Sequence, residues 1–217
     1  MINQVTGDTR RRIVDAAMLL FWEKGYGSTS VADILGRAGI NSGSLYHFFP
    51  GKQDVLLAVL ESLRTGIYEN LLEPNWRGID DPIEKIFKLL AGYRDALLQT
   101  ECTYGCPIGS LALEIHEPDP PVRKLLAANF SNWTAAIEDC LKAAGDRLPP
   151  ETDRRALAEF VLTTMEGGVM LARSYRDVTY FDRAVQQLKE YFNCLLQPAK
   201  APARRRPQRR TKGKSHA

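Results

Sequence analysis

Hydroxyls, a glycine, a phenol and an imidazole crowd into one short stretch, Asn41-Ser42-Gly43-Ser44-Leu45-Tyr46-His47-Phe48-Phe49. Ser42 and Ser44 offer hydroxyls to base edges or phosphates, and Gly43 between them has no side chain to hold the backbone away from a groove. Tyr46 and His47 bring a phenol and an imidazole within reach of backbone phosphates. Leu45 and Phe49 are four residues apart and point the same way on a helix, which leaves the leading turn facing outward. Upstream, Thr29 and Ser30 open another helix and present a hydroxyl and N–H groups to a phosphate. Lys52 adds a point charge after the break at Pro50-Gly51. This chemistry suits a nucleic-acid duplex.

Read as a catalytic group, the same stretch fails. Ser42 or Ser44 with His47 lacks an orienting acid nearby in the chain. Glu114, Glu117 and Asp119 around His116 are explained as well by a loop after a helix, so no enzyme is expected. Cys102, Cys106 and His116 match no metal-ligand spacing and lack a fourth ligand. Neither a metal nor a cofactor is expected.

The elements that position these residues are helical. Ile13, Ala16, Ala17, Leu20 and Phe21 recur at helical spacing, and Gly25 ends that run. Val31, Ile34, Leu35 and Ala38 form the apolar face of a second helix, which Thr29 or Ser30 can cap. Gly39 closes it, and Asn41 caps a third helix that reaches about Phe49. Two short helices around a tight turn make the layout of a helix-turn-helix. A long helix over 52–72 follows, then helices over 82–100, 107–116, 120–144, 151–175 and 179–196. No strand run and no repeat is evident. The expected fold is all-α, with a helix-turn-helix head over 8–50 and a larger helical body over 51–197 whose first helix is the connector.

Charge separates the far end of the chain. Of 29 Lys and Arg, eight follow Gln197, and none of the 26 Asp and Glu do; the net charge of +3 therefore lies in that segment and the rest is mildly acidic. Rich in Pro, Arg and Lys, residues 198–217 are expected to be a disordered basic tail. Such a tail could bind nucleic acid without regard to sequence, a rival to a head that reads it. No stretch of about 18 apolar residues suggests a membrane span, and no secretion leader is evident. A cytoplasmic location follows, with the four cysteines as free thiols.

The segment "GYGSTSVADILGRAGINSGSLYHFFPGKQDVLLAVL" resembles the N-terminal domain of TetR-family transcriptional regulators. Gly25, Thr29, the Ala38-Gly39 turn, Gly43, Leu45-Tyr46, Phe49, Lys52 and Leu56 carry the match, over about residues 10–60. The resemblance implies a homodimer on a double-stranded palindromic operator, usually a repressor, released by a small-molecule effector in the C-terminal domain. It puts Ser42, Gly43, Ser44 and Tyr46 in the groove, and Thr29, Tyr46, His47 and Lys52 on phosphates. Phe48 departs from the polar side chain or histidine the family often has there; packing on the head and contact with a thymine methyl both remain open.

An apolar cavity among the long helices would take a hydrophobic ligand. The family's layout nominates Tyr93, Phe130, Trp133, Met165 and Met170 for its lining. Cys106, before Pro107 at a helix start, is a further candidate, since helix-end amides would lower its pKa and make it an electrophile or redox sensor with Cys102 as resolving thiol. The last two helices are expected to form the dimer interface as half of a four-helix bundle. Gly167 and Gly168 would allow close approach, and Phe181, Ala184, Val185, Leu188 and Phe192 would supply an apolar face, part of it serving the monomer's own core.

Overall fold

The computed structural model describes residues 2–196, with side chains described from Asp8 onward. The described residues form ten α-helices and no strand. The basic segment 198–217 lies outside them.

The head consists of α1 (Ile2–Lys24), α2 (Val31–Ala38) and α3 (Ser42–Phe48). Ser30 caps α2 in a reciprocal box: its hydroxyl accepts from the Asp33 N–H, and Asp33 accepts from the Ser30 N–H. The Ser30 hydroxyl, which also donates to the Asp33 carboxylate at 2.7 Å, the Ser30 N–H and Lys24 hold that carboxyl down at about 2. Gly39 ends α2 in the left-handed region at φ 63°, where a side chain would be strained. Asn41 then caps α3, its Oδ1 accepting from the Ser44 N–H at 2.9 Å. Ile13, Ala17, Phe21, Ile34, Leu45 and Phe49 close the core of the head.

The expected single helix over 52–72 is interrupted. α4 (Lys52–Thr65) stops before Gly66, a wider turn occupies Tyr68–Leu72, and the short α5 (Glu73–Trp76) follows. Gly66 lies against Ser62 O and the Asn70 amide, with no room for a Cβ, so the chain loosens its winding there. The body continues with α6 (Pro82–Gln99), α7 (Pro107–Glu114), α8 (Pro120–Ala143), α9 (Arg154–Tyr175) and α10 (Thr179–Leu195). Asp81 and Asp153 cap α6 and α9 through their carboxylates, and proline opens α6, α7 and α8.

Two apolar clusters hold the molecule. One packs α6, α8, α9 and α10 around Ile86, Leu89, Ile137, Val161, Met165, Phe181 and Phe192. The other joins the head to the body, because Val55, Leu56 and Leu60 of α4, Ile108 and Leu111 of α7, and Val122 and Leu126 of α8 share a cluster with Ile13 and Phe21. Each such fully buried side chain stabilises the fold by about 1.5–3 kcal/mol relative to exposure.

Candidate nucleic-acid interface and effector cavity

Helix α3 divides its residues cleanly. Leu45 is fully buried and Phe49 nearly so, while Ser42, Gly43, Tyr46 and His47 are exposed on the opposite side. A Cβ at Gly43 would meet nothing nearer than Asn41 Oδ1 at 3.5 Å, so the protein's own packing does not demand glycine there. Ser44 is half-buried, and its hydroxyl donates to Asn41 Oδ1 at 3.0 Å as part of the cap. Phe48 is partly buried against the head, its ring meeting His47 edge-on at 4.8 Å.

Three expected phosphate groups prove to be engaged inside the head. Thr29 is 1% exposed and its hydroxyl donates to Gly25 O at 2.7 Å, so it is a clasp for the α1–α2 turn and no hydroxyl faces outward. The Ser30 N–H is taken by Asp33. Lys52 donates to Tyr26 O and Thr29 O, both at 2.9 Å, with its ammonium 4.2 Å from the Tyr26 ring centre. Sequence position places Lys52 near the turn, but only the fold reveals that two carbonyls and a ring converge on it.

Other residues with work at this end carry no motif. Arg12 reaches Ala38 O at 2.5 Å and Gly39 O at 3.3 Å and secures the turn of the helix-turn-helix. Glu114, the last residue of α7, accepts the backbone N–H groups of Tyr26 and Gly27 at 2.8 and 2.6 Å. At the other end of α7, Trp22 Nε1 donates to Gly105 O at 2.7 Å. One body helix is thus tied to the head at both ends, and that same helix walls the cavities behind it.

The inner cavity, about 940 Å³, runs from the cleft between α1 and α4 inward to Tyr93, Cys106, Phe130, Trp133, Met165 and Glu166. A more open groove of about 800 Å³ lies between α7 and α9, and Cys106, Phe130 and Glu166 face it too. Met170 belongs to this outer groove and is 47% exposed. Glu166 was not singled out in the sequence, where a lone acid in an apolar helix looks like a solvated position. It packs onto Gly109, where a Cβ would clash with its carboxylate. Burial raises its pKa.

The expected activation of Cys106 is overturned. The residue is the N-cap of α7 and its sulfur accepts the Gly109 N–H at 3.5 Å, but burial and the neighbouring Glu166 push its pKa up strongly. A thiol so held is scarcely ionised at neutral pH, and the helix-end amides do not compensate. Cys102 is also buried and also raised.

The dimer candidates divide in an unexpected way. Phe181, Leu188 and Phe192 are at most 1% exposed, and Gly168 lies where a Cβ would press on Phe181, so these four serve the monomer's own core. Ala184 and Val185 are half-buried. Gly167 faces open space. The free apolar surface of these helices comes instead from Phe160, Leu171, Tyr175 and Tyr191, each 40–60% exposed.

The family model described as bacterial regulatory proteins, tetR family, matches residues 13–59, from the middle of α1 through α2 and α3 into α4. A second model, the C-terminal domain of LmrA/YxaF-like transcriptional regulators, matches residues 82–187. The uncharacterized HTH-type transcriptional regulator Rv0196 of Mycobacterium tuberculosis (strain ATCC 25618 / H37Rv) is 32% identical over 202 residues, 91% of this chain and 98% of the relative. The chain belongs to the TetR family. Within that family, the uncharacterized regulator YxaF of Bacillus subtilis (strain 168) is 33% identical over 175 residues, 80% of this chain and 89% of its own. A TetR regulator from Chloroflexus aurantiacus superposes with a TM-score of 0.77 at 27% identity, covering 90% of this chain and 100% of that one. This TetR-family chain is therefore a DNA-binding transcriptional regulator and not an enzyme. Among its described residues no helix is long and apolar enough to cross a membrane.

Proposed function

We propose that this regulator is a cytoplasmic repressor that binds a palindromic operator as a homodimer and is released by a small apolar molecule in the body. One observation carries the reading: α3 buries Leu45 and Phe49 and leaves Ser42, Gly43, Tyr46 and His47 bare on its outer side, with no fold-internal need for glycine at 43. In this reading the leading turn of α3 enters the major groove, Gly43 allows close approach, and Tyr46 and His47 reach phosphates. Ser30, whose hydroxyl donates to Asp33, and Lys52, held by two carbonyls, sit at the rim and shape the turn beside α3.

Release follows from the attachments of α7. A ligand that shifts this helix pulls on the Tyr26–Gly27 amides through Glu114 and on α1 through Trp22, and so tilts the head. A two-fold dimer whose heads change separation loses register with half-sites on one face of the duplex. Control through the Cys106 thiol has no such support, since the group is buried and held protonated.

Selection of duplexes from a random pool by the full chain tests the reading. A symmetric sequence with two equivalent half-sites is expected, and it should persist when residues 198–217 are deleted, with only overall affinity and its salt dependence reduced. An asymmetric or featureless pool, or loss of preference with the tail, would refute it.

A further inference from the structure

We propose that the effector site takes an apolar molecule bearing a protonated amine, held by Glu166 against aromatic walls. This rests on the reading that the inner cavity holds the effector. Two buried polar atoms in its wall, Trp133 Nε1 and Glu166 Oε1, make no well-formed hydrogen bond, although the Tyr93 phenol lies beside the indole and the Cys106 thiol beside the carboxylate. Trp133 is 4% exposed and lines the same cavity as Glu166. Buried polar groups without partners are rare in folded proteins, and a ligand that supplies the partners is one reason to keep them. The indole N–H has the Tyr93 oxygen near it, whereas the Glu166 carboxylate keeps one oxygen open to a donor from the cavity.

The charge balance selects among ligands. No Lys or Arg forms an ion pair with Glu166 among the described residues. Arg173, two turns on along α9, is spent on Thr103 O at 3.3 Å and Ser110 Oγ at 3.1 Å. The titratable groups that face Glu166 from other helices are the Cys106 thiol at the start of α7 and the Tyr93 phenol on α6, and burial keeps both neutral. From α8 come Asn129, Phe130 and Trp133, none of them charged. Arg10, Arg11, Asp15, Glu61 and Glu69 line the other end of the cavity, where acids offset the two arginines; the wall at Glu166 itself is neutral or negative and disfavours carboxylates and phosphates. Tyr93, Phe130 and Trp133 offer three aromatic faces, and an ammonium beside such faces and a desolvated carboxylate gains from both. A neutral hydroxyl would satisfy the hydrogen bonds without that gain.

Binding is then linked to a proton. In the empty cavity burial raises the Glu166 pKa, and the ammonium brings it back down, so the amine expels a proton from whatever fraction of the sites is protonated. Affinity for the amine should rise as pH climbs towards the empty-state pKa and level off above it.

Calorimetry with three matched probes tests this on the full chain: 2-naphthylmethylamine, 2-naphthalenemethanol and 2-naphthoate. The amine should bind about tenfold or more tighter than the alcohol, and the carboxylate should bind worst. Glu166→Gln, which keeps the side-chain volume, should remove the amine's advantage and its pH dependence while leaving alcohol binding within about twofold. The Glu166→Asp variant, which keeps the charge, should retain part of the preference. The proposal is overturned if the alcohol or the carboxylate binds best, if none of the three binds up to millimolar concentration, or if Glu166→Gln binds the amine as the parent does. Operator release is read separately by a mobility shift: an amine that binds at Glu166 without freeing DNA would refute the effector reading and leave the amine site standing.

Discussion

Gly43→Glu is expected to abolish operator binding in a protein that melts no earlier than the parent. The position sits in the first turn of α3, where an acidic side chain interacts favourably with the helix dipole by about 0.3–1 kcal/mol. The new Cβ touches only Asn41 Oδ1, at an ordinary contact distance of 3.5 Å. Nothing inside the head resists the change. Outside it, the carboxylate would fill the space through which the backbone approaches base edges and would meet phosphates of its own sign. Loss of base contacts worth about 1–3 kcal/mol each, together with charge repulsion, gives at least about a 100-fold fall in affinity. Thermal unfolding and operator titration on one preparation check both halves. A variant that binds DNA normally would remove α3 from the groove.

Phe160→Glu is expected to split the dimer and with it operator binding. Phe160 is 47% exposed, and its ring meets Tyr191 of α10 edge-on at 5.8 Å. Along α9 the partly open positions 160, 164, 167 and 171 recur at helical spacing, and Gly167 leaves its surroundings open. A four-helix bundle built on this face would bury Phe160, and a carboxylate there would be buried without a partner. Sedimentation should report a monomer, and operator affinity should fall by about 100-fold or more because each head then binds alone. The contrast is Phe181→Ala. That ring is 1% exposed in the monomer core, so its loss should cost about 3–5 kcal/mol of stability and leave the folded protein dimeric. If Phe160→Glu remains a tight dimer, the interface lies elsewhere.

These variants mark what a sequence can and cannot reveal. Leu45 and Phe49, four apart beside a Ser-Gly-Ser start, announce which side of α3 is buried, and Gly39 and Asn41 announce the turn before it. Local spacing and capping decide such features. Thr29 and Lys52 lie as near the interface in sequence as Ser42 does, yet one hydroxyl turns to Gly25 O and one ammonium to Tyr26 O and Thr29 O. The Lys52 partners lie more than 20 residues back along the chain, where no local pattern carries them, and Thr29 turns inward because the head packs over it. The same holds for α9 and α10: both sides of α10 hold apolar groups, and only packing decides that Phe181, Leu188 and Phe192 turn inward. Cys106 looked reactive because a helix start stabilises a thiolate, but the depth at which α7 begins reverses that preference. Glu114 and Glu166 were illegible for a related reason. Each acts on backbone or cavity contributed by segments more than 50 residues away.

Photocrosslinking from position 46 tests the central claim most directly. A benzoylphenylalanine in place of the exposed Tyr46 should couple to the selected operator within each half-site. The same probe at the exposed Leu113 of α7 should not couple to it. Coupling from position 113 and none from 46, on a complex that still forms, would contradict a head that reads DNA with the leading end of α3.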